Sequence, residues 1–315
     1  MKICIWITKI FDLGGTKRVV SLLANELVKE HEVTIMTYED RFREDRTMYH
    51  LSEDINVDFI DNSQFVNKHH TPAFCARYLV KKLNDRSGMF NKKSLNPILA
   101  EAIFPQKTRE KWVEYFNSQD YDVILTTASL SLRLAMIAPR LKAATIGWQH
   151  NCYDGYLHVK PVVFWQQENL LQQYLPNLDR YIVLSDYDKR DYMEKLGIDC
   201  EVKINPRSFV SEKKCDVKSK RFLMATRFVY AKGLDLMMES FEEFCKEDSE
   251  WELDIIGDGD LFDQIRADAK KRHLEKRVHF VGYTNEPEKY YLNSSVFLLP
   301  SRWEGWPMVI MEAFE

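Results

Sequence analysis

Two glutamates near the end of the sequence bracket a segment whose spacing could suit a phosphorylated ligand. The segment reads S-R-W-E-G-W-P-M-V-I-M-E and follows an apolar run, which places Glu304 in a loop and Glu312 in a helix that Pro307 would begin. Gly305 and Trp306 come just before that helix, whose free N-terminal amides would favour an anion. Two carboxylates beside a diphosphate could accept hydrogen bonds from sugar hydroxyls. The alternative is a surface loop followed by a solvated helical glutamate.

A second segment places two cations in the loop after another apolar run. It reads T-R-F-V-Y-A-K-G, from Thr226 to Gly233, and a helical pattern follows it. Arg227 could hold phosphate oxygens with its planar fork, and Lys232 could act as a point charge. From the residues alone, two solvated cations at a surface loop remain the alternative.

Glycines and a histidine follow two more apolar runs. Gly14 and Gly15 form a glycine turn ahead of a helical segment, where Thr16 is expected to cap the helix. His150 lies in W-Q-H-N, at the carboxyl end of a predicted strand, where ligands bind in open α/β sheets. The alternatives are an ordinary strand-to-helix turn and a structural histidine.

The segment I-I-G-D-G-D supports two readings. Asp258 and Asp260 could hold Mg²⁺ or Mn²⁺ on a diphosphate, whereas Gly257 and Gly259 could form a tight turn that brings the backbone close to a nucleotide. The order of strand, turn and helix favours the glycine turn. Because Arg227 and Lys232 would replace a metal, no metal site is predicted.

Short apolar runs alternate with helical patterns along the chain, which predicts parallel sheets covered by helices and a doubly wound α/β fold in two Rossmann-like domains. The boundary is predicted at Asn205-Pro206, which separates domains 1–205 and 206–315, before the polar stretch Arg207–Ser219. The predicted strands are Lys2–Ile7, Glu32–Tyr38, Val57–Ile60, Asp122–Thr127, Ala143–Gln149, Arg180–Leu184, Glu201–Ile204, Arg221–Thr226, Glu252–Ile256, Val278–Val281 and Val296–Leu299. The predicted helices include Lys17–Glu30, Pro161–Tyr174, Leu234–Lys246 and Leu261–Arg272.

Composition excludes several classes of protein. The formal net charge of −4 is unlike that of a nucleic-acid binder, so no nucleic-acid partner is expected. The six scattered cysteines form no C-x-x-C pair, which indicates a reducing, cytoplasmic setting. No stretch approaches the ~20 apolar residues that cross a bilayer, so any membrane contact is expected to be peripheral, at the inner face of the cell membrane.

Taken in order along the whole chain, these motifs resemble those of the family-4 retaining glycosyltransferases. The segment with Glu304 and Glu312 is similar to the family's E-x7-E motif, and the segment with Arg227 and Lys232 is similar to its G-R-x-x-x-x-K-G motif. Thr226 stands where the family commonly has Gly or Ser. The resemblance implies the GT-B fold, with two domains facing a cleft.

The resemblance also implies a role for each motif. Glu304 would bind hydroxyls of the donor sugar, Glu312 the donor ribose, and Arg227 and Lys232 the diphosphate as it leaves. The remaining positions are implied to contact the donor phosphates and acceptor (Gly14, Gly15), the transferred sugar (His150), the nucleotide (Gly257, Gly259) and the base (Tyr283, Thr284). From the residues alone, Tyr283 could equally be a core aromatic.

By the same resemblance, the donor is a nucleotide-diphosphate sugar, taken here as a UDP-sugar, and no cofactor or metal is expected. The acceptor would be a glycan or a lipid-linked glycan, with transfer that retains the anomeric configuration, as in the assembly of cell-surface polysaccharides. An epimerase or phosphorylase of the same fold, and a nucleotide-sugar-binding protein without turnover, are the alternatives.

Residues 66–117 form a basic, mostly helical insertion in the first domain. Apolar side chains such as Phe74, Tyr78 and Leu79 alternate there with Arg77, Lys81 and Lys82. This pattern suits either an amphipathic face on an anionic membrane or a solvated cationic face over an ordinary core. His69 and His70 in the insertion have no context that suggests a site.

Family members usually continue beyond the helix that carries Glu312, whereas this sequence stops at Glu315. We therefore expect a second domain that lacks its last elements, and an inactive or merely nucleotide-sugar-binding remnant is an alternative to an active enzyme.

Overall fold

The computed structural model describes residues 1–39, 41–65, 71–159, 163–208, 210–248, 250–284 and 286–315. The chain divides into two compact units, Met1–Pro206 and Arg207–Glu315. This division lies one residue after the boundary that the sequence predicts at Asn205-Pro206. His69 and His70, like the rest of 66–70, lie outside the described residues.

The first unit is built on a parallel sheet with the strand order β3-β2-β1-β4-β5-β6-β7. Its order reverses between β1 and β4, as in doubly wound folds, and ligands bind such sheets at the carboxyl ends of the strands beside the reversal. The strands are β1 (Lys2–Trp6), β2 (Glu32–Thr37), β3 (Asn56–Phe59), β4 (Val123–Thr127), β5 (Ala144–Trp148), β6 (Arg180–Val183) and β7 (Glu201–Val202).

Burial explains why these segments form strands. In β1 every residue from Ile3 to Trp6 is buried, so both faces of this central strand are covered. The helices of the first unit are α1 (Gly15–Leu27), α2 (Pro72–Ser87), α3 (Asn96–Ile103), α4 (Gln106–Ser118), α5 (Ser129–Ile137), α6 (Tyr153–Leu157), α7 (Glu168–Tyr174) and α8 (Asp186–Asp191), with a π-helical turn at Tyr192–Leu196.

Pro161 and Val162, at the start of the predicted helix Pro161–Tyr174, lie outside the described residues. Over Val163–Gln167 the prediction is wrong, since α7 begins only at Glu168. Gln166 has a φ of 55°, which interrupts a helix, and its carbonyl accepts a hydrogen bond from Asn84 of α2 at 2.7 Å. The Trp165 indole also donates to the Asp85 carbonyl at 2.9 Å. These tertiary hydrogen bonds outweigh the helical periodicity of the segment.

The second unit is a smaller parallel sheet with the order β10-β9-β8-β11, which reverses between β8 and β11. Its core packs the sheet against α9 and α10 through residues such as Met224, Met238 and Ile255. The elements are β8 (Arg221–Ala225), α9 (Leu234–Glu247), β9 (Glu252–Ile256), α10 (Phe262–Lys271), β10 (Val278–Gly282), α11 (Glu288–Leu292), β11 (Val296–Phe297) and α12 (Met308–Phe314).

Each predicted strand appears in one of the two sheets, and the predicted α/β class is confirmed. The largest errors in a strand end are at β7, which stops at Val202 rather than Ile204, and at β11, which stops at Phe297 rather than Leu299. None of the helices in the described ranges is long and apolar enough to span a bilayer.

Candidate functional site

In the second unit, the two predicted motifs follow adjacent strands. The loop after β8, here called the cation loop (residues 226–233), carries Arg227 and Lys232. The loop after β11, here called the glutamate loop (residues 298–307), carries Glu304. Because β8 and β11 pair in parallel at the reversal of strand order, both loops leave the same edge of the sheet at the position where such sheets bind ligands.

The structure joins the two loops through an ion pair between Lys232 Nζ and Glu304 Oε1. Both side chains are largely covered, with 19% of Lys232 and 22% of Glu304 exposed. The alternative of a freely solvated lysine is therefore wrong. The pair keeps an ammonium and a carboxylate, the two groups predicted to act on a diphosphate and a sugar, at one fixed place.

Arg302, which the sequence analysis did not single out, holds the two loops in register. Its amide donates to the Ala231 carbonyl at 2.8 Å, and its guanidinium donates to the Tyr230 carbonyl at 2.8 Å. The guanidinium also forms two hydrogen bonds to Asp235, at 2.9 and 2.6 Å, and lies 4.0 Å from the centroid of the Tyr230 ring. The Arg302 hydrogen bonds hold the pKa of Asp235 below its ordinary value.

At Gly233 the backbones of the two loops approach each other closely. Its φ of 64° is left-handed, and a Cβ added there would lie 2.1 Å from the carbonyl oxygen of Pro300. Only glycine fits both conditions. Lys232 is therefore positioned by the residue that follows it.

The backbone on either side of Arg227 packs against the glycine turn that follows β9. A Cβ on Gly257 would lie 1.8 Å from the Thr226 carbonyl oxygen, and one on Gly259 would lie 2.8 Å from the Phe228 amide. Phe228 donates to the Asp258 carbonyl at 2.9 Å. These glycines thus let one loop pack against the other, whereas contact of their backbone with a nucleotide stays a prediction.

The Arg227 guanidinium itself is exposed, and no hydrogen bond or ion pair to it is found within the described ranges. It is therefore available to an anion.

Asp258 and Asp260 are both exposed, and Asp258 accepts a hydrogen bond from the Gly259 amide at 2.7 Å. Among the described residues no three His, Cys, Asp or Glu side chains are grouped so that they could hold a metal ion. Asp258 therefore serves the turn in this structure.

Glu312 is buried, with 4% of its surface exposed, so the alternative of a solvated helical glutamate is wrong. Its carboxylate accepts hydrogen bonds from Ser208 Oγ at 2.8 Å and from the Tyr291 hydroxyl at 3.0 Å. Ser208 and Tyr291 were not predicted, because they precede Glu312 by 104 and 21 residues and carry no pattern that links them to it. The contact of Glu312 with a ribose stays a prediction.

The start of the last helix is also corrected. Pro307 lies just before α12, which begins at Met308, rather than being its first residue. Gly305 and Trp306 are half-buried in the glutamate loop.

The loop after β10 carries Tyr283 and Thr284. Tyr283 is 49% exposed, so the alternative of a core aromatic is wrong. The Gly282 carbonyl accepts a hydrogen bond from the Gly257 amide at 2.8 Å, which joins this loop to the glycine turn. Thr284 Oγ1 accepts from the Glu286 amide at 3.1 Å. The contact of Tyr283 and Thr284 with a nucleotide base stays a prediction.

In the first unit, the loop after β1 ends at Gly14 and Gly15. Helix α1 begins at Gly15 without a side-chain cap, so the predicted capping by Thr16 is wrong. The Gly14 amide instead donates to the Tyr49 hydroxyl at 2.8 Å. Gly15 is exposed, and a Cβ there would meet nothing within 4 Å.

Glu39, another residue that the sequence analysis missed, shapes the same loop. Its carboxylate is buried and accepts hydrogen bonds from the amides of Ile10 and Phe11, at 2.6 and 2.9 Å. An isolated glutamate after a strand carries no signal in a sequence that would reveal this.

His150 follows β5, and both of its ring nitrogens are buried without a hydrogen-bond partner, although part of the residue is exposed. The indole nitrogen of Trp148 is likewise buried and unpartnered, and the two rings lie 4.5 Å apart. Burial lowers the pKa of His150 to about 3, so the ring is neutral near pH 7, with one donor and one acceptor. Buried polar atoms normally have partners, so these atoms are candidates for binding a hydroxyl group.

Ala128, at the end of β4, adds backbone strain beside the reversal of strand order in the first sheet. Its φ of 51° and ψ of −130° are unfavourable for a residue with a side chain. Such strain persists only where the surroundings impose it, and it often lies at functional sites.

Models of two known protein families match this chain, one in each unit. Residues 13–208, more than half of the chain, match the model of Glycosyltransferase Family 4, and residues 208–315 match that of Glycosyl transferases group 1. An uncharacterised glycosyltransferase of Haemophilus influenzae is 26% identical over 61% of this chain and 53% of its own length. Two further curated relatives are matched over 27% and 26% of their lengths, so the chain spans about half or less of these proteins.

One relative aligns with nearly the whole chain. An N-acetylgalactosaminyltransferase of Campylobacter jejuni, named for an undecaprenol-linked glycan acceptor, is 26% identical over 95% of this chain and 73% of its own length. Among solved structures, TarM of Staphylococcus aureus in complex with UDP has a TM-score of 0.72 at 14% identity, covering 99% of this chain and 83% of that one. This likeness confirms the GT-B fold. The two family models show that the chain belongs to the family-4, group 1 glycosyltransferases.

Proposed function

We propose that this chain transfers a sugar from a nucleotide-diphosphate sugar, a UDP-sugar, to a glycan or lipid-linked glycan, with retention of the anomeric configuration. The observation that carries the proposal is the Lys232–Glu304 pair at the reversal of strand order, with the exposed Arg227 in the same loop. UDP as donor nucleotide is supported by the UDP in the TarM structure, and a lipid-linked acceptor by the name of the Campylobacter relative.

In the proposed reaction the bond between the anomeric carbon and the β-phosphate oxygen breaks. The acceptor oxygen bonds to the same face of the sugar, and its proton passes to the departing diphosphate. Negative charge grows on that diphosphate, where Arg227 and Lys232 stabilise it as preorganised cations. No side chain is assigned as a general base.

Glu304 has two roles in this proposal. In the ligand-free protein it holds Lys232 in place, and with donor bound it accepts hydrogen bonds from sugar hydroxyls while Lys232 turns to the phosphate. A partly buried ammonium between a carboxylate and a diphosphate interacts more strongly than it would in water.

His150 and Trp148 supply neutral polar groups in the first unit. With a pKa of about 3, His150 binds as a neutral ring and is suited to an uncharged hydroxyl rather than to a phosphate. The indole of Trp148 adds one donor. We assign both to a sugar hydroxyl, which would satisfy atoms that lack partners without ligand.

The test is sugar transfer by the full chain from a panel of UDP-sugars, with bacterial membrane extract as the source of acceptor. We expect Lys232→Ala and Glu304→Ala to lower turnover at least a hundredfold while the fold is retained, as expected for loss of transition-state contacts. Lys246→Ala is the matched control, because Lys246 forms an exposed ion pair with Glu243 on α9.

Near-normal transfer by either variant would refute the assignment. Donor binding without transfer by the unaltered chain would identify a nucleotide-sugar-binding protein, and donor hydrolysis without transfer would point to a different enzyme of the same fold.

A further inference from the structure

Helix α2 (Pro72–Ser87) presents an outer face that mixes apolar and basic side chains. Cys75, Tyr78, Leu79, Lys82 and Arg86 are spaced at i, i+3, i+4, i+7 and i+11, so they lie along one side of the helix. All five are exposed, including 59% of Tyr78 and 55% of Leu79. This surface is called the α2 face below.

The orientation of the helix is fixed by its opposite side. Asn84 is buried and hydrogen-bonds the Gln166 carbonyl at 2.7 Å and the Phe90 amide at 3.1 Å. Val80 packs against the core of the first unit. At 100° per residue, Asn84 lies about 180° around the helix from Cys75, so the α2 face points away from the core.

Charge is concentrated around the same helix. Residues 71–98 contain six Lys or Arg and one acid, a net charge of +5, in a chain whose net charge is −4. None of these six cations is ion-paired in the part of the chain that the structure describes. Instead, Lys82 lies over the ring of Tyr78, 6.0 Å from its centroid. The six cations are Arg77, Lys81, Lys82, Arg86, Lys92 and Lys93.

The solvated cationic face, one of the two alternatives from the sequence, leaves Tyr78 and Leu79 unexplained. Large apolar side chains exposed side by side among unpaired cations indicate a binding surface. A nucleic acid would neutralise the cations but would leave Leu79 without an apolar partner, since phosphate contacts dominate such complexes. An anionic bilayer offers phosphates and an apolar phase at adjacent depths.

We propose that the α2 face docks on the surface of an anionic lipid bilayer. Leu79 and Tyr78 enter the boundary between headgroups and acyl chains, where a tyrosine ring places its hydroxyl toward water. Lys82 and Arg86 bind lipid phosphates, and the exposed Lys81 adds long-range attraction. The inference uses no residue of the donor site, so it holds or fails independently of the proposed reaction.

The test is cosedimentation of the full chain with vesicles of phosphatidylglycerol and phosphatidylcholine, and with vesicles of phosphatidylcholine alone. We expect binding to the anionic vesicles, weakened by raising the salt from 0.15 to 0.5 M because the Debye length shrinks. Binding to the neutral vesicles should be at least tenfold weaker.

Variants of exposed residues keep the test specific. Leu79→Ser should weaken vesicle binding about tenfold, since burial of a Leu side chain contributes a factor of about that size. The double variant Lys82→Gln/Arg86→Gln should weaken it about twenty-five-fold, at about fivefold per cation. The matched control for Leu79→Ser is Leu236→Ser on α9, where the side chain is 45% exposed. The matched control for the double variant is Lys246→Gln/Lys270→Gln, since both lysines are exposed, on α9 and α10. Melting temperatures should stay unchanged.

The proposal is overturned if the full chain does not bind anionic vesicles, or if the variants of the α2 face bind as well as the controls do. Binding to a single-stranded RNA oligomer that the same variants abolish, without vesicle binding, would assign the face to a nucleic acid instead.

Discussion

Replacement of Gly233 by alanine probes the contact that joins the cation loop and the glutamate loop of the proposed donor site. The substitution adds one methyl group, which would lie 2.1 Å from the Pro300 carbonyl oxygen and 3.0 Å from its carbon. Both atoms belong to the backbone, so they cannot rotate away as a side chain would. The glutamate loop or the cation loop must then move, and the Lys232–Glu304 pair spans the two.

Two costs contribute to the loss of stability. A left-handed backbone costs a residue with a side chain about 1–2 kcal/mol, of which alanine recovers up to about 1 kcal/mol because it stiffens the unfolded chain. Overpacking against the carbonyl adds about 1–3 kcal/mol. We therefore expect Gly233→Ala to lower the free energy of unfolding by about 2–4 kcal/mol and to reduce sugar transfer.

Two other glycines separate these costs. Gly197 has a φ of 68° and a ψ of 29°, close to the 64° and 30° of Gly233, and a Cβ there meets nothing within 4 Å. Gly282, in the same unit as Gly233, has a φ of 79° and equally free space. Gly197→Ala and Gly282→Ala should each cost only about 1 kcal/mol, from backbone strain alone.

Urea unfolding followed by circular dichroism measures all three variants. Gly15→Ala is a further control, since Gly15 begins α1 with open space around it and no left-handed φ. If Gly233→Ala destabilised the protein no more than Gly197→Ala does, the close approach of Pro300 to Gly233 would be refuted.

Three further outcomes are expected. Ala128→Gly should raise the free energy of unfolding by about 1 kcal/mol, because glycine relieves the strain at φ 51°; a loss of stability in thermal unfolding would contradict this. Burial lowers the pKa of His150 to about 3, whereas the pKa of this ring in the unfolded chain is the ordinary value near 6.5. Between these two pH values, only the unfolded chain binds a proton at His150. The contribution of His150 to the free energy of unfolding should therefore be complete above pH 6.5 and fall by up to about 1.4 kcal/mol per pH unit toward pH 3. His150→Gln should remove this slope from the pH profile of unfolding, and an unchanged slope would count against a buried neutral ring. Transfer should persist in EDTA, whereas strict metal dependence would favour Asp258 and Asp260 as ligands.

The two sheets were predictable because their central strands are covered on both faces. Continuous apolar runs such as Ile3–Trp6 have few alternatives to a buried parallel strand. The strand β9 has the same bounds, Glu252–Ile256, in the sequence analysis and in the structure. Segment ends governed by distant hydrogen bonds, such as the start of α7, were not predictable.

The site was predictable in its charged residues but not in their contacts. Lys232 and Glu304 were each identified from a motif, yet their pairing depends on the adjacency of β8 and β11, which are about 70 residues apart. Arg302 and Glu39 carry no motif, since their work is to bind the backbone of other loops. The surroundings of Glu312 were not predictable either, because its partner Ser208 lies in the irregular segment that follows the domain boundary.

The central claim, that the cation loop binds the diphosphate of a nucleotide donor, is tested most directly by the affinities of the full chain for UDP and UMP. These ligands differ by one phosphate, which Arg227 and Lys232 are proposed to contact. Titration calorimetry should show UDP binding at least tenfold tighter than UMP, since a hydrogen bond to a charged group contributes about 1.5–3 kcal/mol. Lys232→Ala should remove most of that ratio, and Lys246→Ala should leave it intact. A ratio that neither Lys232→Ala nor Arg227→Ala changes would contradict the proposed donor site.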